Sequence, residues 1–87
     1  MDAKDTCFQF PCSYPLKIMG LNTLQLEPAI QEILKKHVPD ETVAYERRLS
    51  SSGKYLSITA TFTATSREQL NAIYQALNDN KLVVMTL

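Results

Sequence analysis

The chain has 87 residues, 45% of them hydrophobic, with nine basic side chains balancing nine acidic ones. That length makes one domain, with room for a layer of helices on one sheet and little room for a deep pocket. Balanced charge counts against a nucleic-acid binder, whose affinity comes largely from neutralising phosphates, and the hydrophobic content counts against disorder.

The start, Met1-Asp2-Ala3-Lys4-Asp5, lacks the cationic and apolar regions of a signal peptide, and no run approaches the ~20 apolar residues that span a bilayer. A cytoplasmic protein with no membrane contact is expected. Residues 1–9 are polar and aperiodic, which predicts a flexible N-terminus followed by a single domain over residues 10–87. Cys7 and Cys12 flank Phe8-Gln9-Phe10-Pro11. Without a secretory signal they are expected to be reduced thiols, and with a single histidine in the chain no zinc site can be assembled readily.

From Cys12 to Met19 the pattern alternates. Tyr14, Leu16 and Ile18 fall on one face, and Ser13, Pro15, Lys17 and Met19 on the other, as in a half-buried strand closed by Gly20. Pro15 has no amide donor, so it belongs where the ladder lacks a bond. Leu26, Ile30, Ile33 and Leu34 then recur at helical spacing, with Asn22 or Thr23 as a candidate cap and Pro28 confined to the first turn. Alternation returns over Thr42–Leu49, and Ser50-Ser51-Ser52-Gly53 reads as a hairpin loop.

Tyr55 to Ala64 is the cleanest strand. Leu56, Ile58, Ala60, Phe62 and Ala64 point one way, Tyr55, Ser57, Thr59, Thr61 and Thr63 the other. Thr65-Ser66-Arg67-Glu68 fits a capping box opening a second helix, whose stripe is Leu70, Ile73, Tyr74 and Leu77. Leu82–Leu87 is a final apolar strand. The order β-α-β-β-α-β predicts an α+β, ferredoxin-like sandwich: a four-stranded antiparallel sheet, two helices on one face, and a threonine-rich face left open.

This architecture hosts several activities, each with its own residues. A metal chaperone needs two thiols in the loop after the first strand, and an acyl-phosphate hydrolase needs a glycine-rich anion cradle with a basic residue there. Met19-Gly20-Leu21-Asn22 supplies neither. An RNA-recognition surface needs aromatic residues on the central strands, and the third strand offers only Tyr55 on its outer face. His37 follows Lys35-Lys36 in the last helical turn, where a cation complements the helix dipole, and no nucleophile lies beside it in the sequence. No catalytic residue, metal ligand or cofactor site is therefore assigned. Glu46-Arg47-Arg48 reads as an edge strand guarded by charge. Lys17, a cation in a central strand, must face the open side.

Phe10-Pro11-Cys12-Ser13-Tyr14-Pro15-Leu16-Lys17-Ile18-Met19-Gly20 resembles the YbeD-like family of small bacterial proteins, through Phe-Pro, an aromatic residue, then Lys-aliphatic-Met-Gly. The likeness extends to His37 and Pro39, the Ser-Ser-Gly-Lys-Tyr hairpin, the Ser-Ile-Thr strand and a Val-Met-x-Leu ending. Pro28 and the two cysteines fall outside it. The resemblance implies a ferredoxin-like fold similar to ACT-type regulatory domains, no catalytic residues, and a loose link to lipoate metabolism.

Two functions of different class follow. The first is a non-catalytic regulatory or binding module, meeting an unknown protein partner or a small metabolite, with a homodimer as one form of the interface. Its candidate contacts are Lys17, Gly20, Tyr55, Thr59 and Thr61, on a face expected to be polar with few large apolar groups. The second is a weak nucleic-acid binder using Lys17, Arg47, Arg48 and Lys54.

Overall fold

A computed structural model describes residues 9–38 and 43–86. The expected flexible N-terminus therefore lies outside the described residues except for Gln9. Six elements run in the order β1 (Cys12–Leu21), α1 (Leu26–His37), β2 (Ala44–Leu49), β3 (Tyr55–Ala64), α2 (Arg67–Asn78) and β4 (Val83–Thr86). The strands form one antiparallel sheet in the order β2-β3-β1-β4, the ferredoxin-like arrangement.

The pairing of β1 with β3 fixes everything else. Ten consecutive pairs run from Cys12 opposite Ala64 to Leu21 opposite Tyr55 without a break. Side chains alternate along a strand, so this register places Tyr14, Leu16 and Ile18 beside Phe62, Ala60 and Ile58 on one face. All six are buried there beneath Leu26, Ile30 and Leu34 of α1 and Leu70, Ile73 and Leu77 of α2. Ile33, expected in the core, is only half-buried at its margin.

β1 runs one residue past Gly20, which does not end it. Gly20 is buried, and a Cβ on it would come within 2.5 Å of the Leu82 carbonyl oxygen and 2.6 Å of a Leu26 methyl carbon. The glycine lets β4 and α1 close over the end of β1. The Leu21 amide donates to the Leu82 carbonyl at 3.1 Å. By the strand's period of two, the backbone groups of Pro15 also turn toward the β4 side. β4 reaches only Ile18, Met19 and Gly20, so Pro15 sits where no described strand asks for its missing donor.

α1 begins at Leu26 after Gln25, with no side-chain cap; Asn22 instead donates its side-chain amide to the Gly53 carbonyl at 3.0 Å. Pro28 falls in the first turn, where its amide would have no helical partner. α2 is capped one residue later than Thr65–Glu68 suggests. Ser66 Oγ accepts from the Gln69 amide at 3.1 Å, and Gln69 Oε1 accepts from the Thr65 amide at 2.8 Å. The side-chain amide of Gln69 also donates to the His37 carbonyl at 2.8 Å, tying the start of α2 to the end of α1.

Candidate binding surface

The same register that buries the even-numbered residues of β1 lays out the other face of the sheet. Lys17 lies opposite Thr59, and Glu46 of β2 lies opposite Thr59 on its other side, so Glu46, Thr59 and Lys17 form one row across three strands. The next row runs Arg48, Ser57, Met19 and Met85 across all four. Toward the other end, Ala44, Thr61 and Pro15 form a third. Lys17, Glu46 and Arg48 are exposed, and the hydroxyl residues of β3 between them are half-buried by their neighbours.

Four of the five candidate residues share this face: Lys17, Tyr55, Thr59 and Thr61. Gly20 does not, being packed beneath Leu26 and Leu82 on the helix side. Lys54 leaves the hairpin to place its ammonium 5.6 Å from the centre of the Tyr55 ring, a cation–π contact at the rim.

Of the four basic residues of the nucleic-acid reading, Lys17 and Arg48 share the open face and Lys54 lies at its rim, whereas Arg47 does not join them. Arg47 points to the helix side, where its guanidinium makes two hydrogen bonds to the Glu27 carboxylate in the first turn of α1. That hydrogen bonding, more than the charge alone, holds the Glu27 carboxyl below its ordinary value and raises the Arg47 guanidinium. Lys36 pairs with Glu32 at 4.0 Å along α1, again away from the open face. Lys17, Glu46 and Arg48 take part in neither ion pair.

The open face is less uniformly polar than its threonines suggest. At the end where β1 leaves the sheet, Leu21 is 37% exposed and Met85 46% exposed, with Met19 between them. Leu24, in the following loop, is 93% exposed. Continuing the outward alternation Lys17, Met19 through Gly20 to Leu21 reveals this apolar corner in the sequence. Glu46 is equally legible there as an outward residue of β2.

The hydroxyls of Tyr14 and Tyr74 lie 2.8 Å apart. Burial first, and the bond to Tyr14 second, push the Tyr74 phenol far above its ordinary range, so it stays protonated. Among the described residues no group of three or more His, Cys, Asp or Glu side chains could hold a metal ion. No described helix is long and apolar enough to cross a membrane. The expectation of a reduced thiol does not hold at Cys12, which is disulfide-bonded. Redox compartment governs whether such a bond persists, but not whether the chain geometry allows one. Cys7 lies outside the described residues.

Residues 5–87 match the family model described as a protein of unknown function, DUF493. A UPF0250 protein of Nitrosomonas europaea is 40% identical over 85 residues, covering 97% of this chain and 98% of its own. A UPF0250 protein of Chromobacterium violaceum is 41% identical over 87 residues, covering 99% and 98%. Neither name denotes a catalyst. The solution structure of protein HP0495 from H. pylori superposes with a TM-score of 0.78 over 99% of this chain and 91% of that one, at 21% identity, a likeness of fold. The chain therefore belongs to the DUF493 (UPF0250) family of bacterial proteins, the YbeD-like group that its first strand resembles.

Proposed function

We propose that the chain is a non-catalytic binding module of the cytoplasm, regulatory in the manner of ACT-type domains, and that it works through the open face of its sheet. The observation that carries this reading is the row Glu46–Thr59–Lys17: opposite charges two strands apart across a central strand's outer side, engaged by no ion pair among the described residues. A surface kept only for solubility has no need of such placement on the most regular part of the molecule. Its polarity suits a modest, reversible contact with a protein or with a small metabolite bound between subunits, because obligate interfaces are more apolar than this face. The nucleic-acid reading is the weaker, because Arg47 is engaged by Glu27 on the opposite side from Lys17 and Arg48.

The test is affinity purification from the native host with the wild-type chain and with the Lys17→Glu, Thr59→Arg variant. Both should fold alike, and the variant should lose whatever partner the wild type retains. A folded variant that recovers every partner would move the function to the helices or the edges. Binding of the wild type to RNA or DNA at low salt, with a steep salt dependence, would favour the nucleic-acid reading instead.

A further inference from the structure

The geometry points to a second copy of this chain as an occupant of the open face, in a two-fold dimer whose axis runs along β3. The inference rests on the reading of that face as an interaction surface, and it follows from where the charges stand. Glu46 and Lys17 flank Thr59 at equal distance, one strand to either side. Strands in a sheet lie about 4.8 Å apart, so the two backbones are roughly 10 Å from each other, and among the described residues no ion pair joins Lys17 to Glu46. A rotation of 180° about the line of β3 exchanges the two sides. It sets Lys17 of one protomer over Glu46 of the other, and Glu46 over Lys17, in a single operation.

The neighbouring rows accept the same operation without placing like charges together. Arg48 meets Met19, where the aliphatic stem of arginine can lie on a thioether while its head reaches solvent. Small Ala44 meets Pro15. The other in-plane axis, perpendicular to the strands through the Thr59 row, would set Lys17 over Lys17 and Glu46 over Glu46, and so is disfavoured. The face is self-complementary in one orientation only, that of aligned sheet-on-sheet packing. The axis leaves β2, β3 and β1 facing their counterparts while β4 overhangs at either side, so the apposed flat face is on the order of 400 Å², against about 800 Å² per partner in a standard interface. The dimer is thus reversible, and salt weakens it.

The decisive experiment is sedimentation equilibrium of the full chain and three variants, with circular dichroism to confirm folding. Wild type should self-associate. Lys17→Glu and Glu46→Lys, each placing like charges in apposition twice per dimer, should each weaken association by about tenfold or more. The double variant Lys17→Glu, Glu46→Lys should return close to wild type, because only a partner copy supplies the exchanged charge at the matching place. If one single variant fails to fold, the other still reads the same contact. Association unchanged by either single variant, or not restored by the double, would overturn the inference and place any dimer elsewhere. A wild type that stays monomeric overturns it too. The broader reading of the face then survives if Lys17→Glu, Thr59→Arg still abolishes capture of a host partner, and fails with it if that variant retains them all.

Discussion

The two sides of β3 run along the same backbone and differ in almost every physical respect. Ile58, Ala60, Phe62 and Ala64 are buried in the core shared with the two helices. Tyr55, Ser57, Thr59, Thr61 and Thr63 alternate with them and remain half-buried at most, flanked by charges that no residue of the described chain neutralises. One side holds the domain together, and the other is left chemically unfinished. In a domain this small, the buried core and the exposed charges are separated by a single residue's step along a strand.

The sharpest way to break the comparison is to truncate one residue on each side of β3. Phe62→Ala removes a ring 3% exposed, whose centroid lies 6.1 Å from that of Tyr14, and should cost about 3–5 kcal/mol, a large share of the whole stability of such a domain. Thr59→Ala, on the opposite side, should change stability by no more than about 0.5 kcal/mol. Chemical denaturation of both variants tests the pair; a cooperative, wild-type-like Phe62→Ala would sink the core assignment.

Gly20→Ala sharpens the comparison at the point where sheet and helix meet. The added methyl has to displace the Leu82 carbonyl and the Leu26 side chain, so a loss of about 1–3 kcal/mol is expected in the same denaturation series. Unchanged stability would show that β4 does not close on β1 as described. Tyr74→Phe leaves the hydroxyl of Tyr14, a residue only 2% exposed, without its partner, and should cost about 1 kcal/mol or somewhat more. Tyr55→Phe, on the open side, is the control and should be nearly neutral.

The smallest effect belongs to Glu27. Its carboxyl titrates below the ordinary 4.5 because Arg47 donates hydrogen bonds to the ionised form. The folded value is depressed, so the stabilisation is present above the unfolded value and lost as pH falls through the folded one. Melting temperature followed downward from about pH 6 should fall more gently in Glu27→Gln than in wild type, and only slightly so, since solvent screens a surface pair. Parallel acid profiles would mean that the pair contributes nothing.

Much of this is legible in the amino-acid order alone. The period-two pattern of Tyr55–Ala64 specifies both faces of β3, and the matching pattern from Cys12 onward specifies those of β1. From these two strands the shared face of Lys17, Tyr55, Thr59 and Thr61 follows. What the sequence conceals is non-local or degenerate. Arg47 looks available because its partner, Glu27, lies twenty residues away on another element. Thr65-x-x-Glu68 and Ser66-x-x-Gln69 both satisfy the capping pattern, and only backbone geometry chooses between them. Gly20 reads as a strand end because a glycine needed for close approach looks the same in sequence as one needed for a turn; stopping there hides Leu21 and the apolar corner.

Methyl NMR tests the division of labour between the faces most directly. Protein labelled at the methyl groups of threonine, methionine, isoleucine and alanine, the last reporting on the helices through Ala29, Ala72 and Ala76, would be compared in buffer and in an unlabelled extract of the native host. The expected result is selective shifting or broadening of Thr59, Thr61, Met19 and Met85, while Ile18, Ile58 and Ile73 in the core keep their positions. Open-face methyls unchanged by the extract, with the perturbation concentrated on the outer surfaces of α1 and α2, would contradict the account.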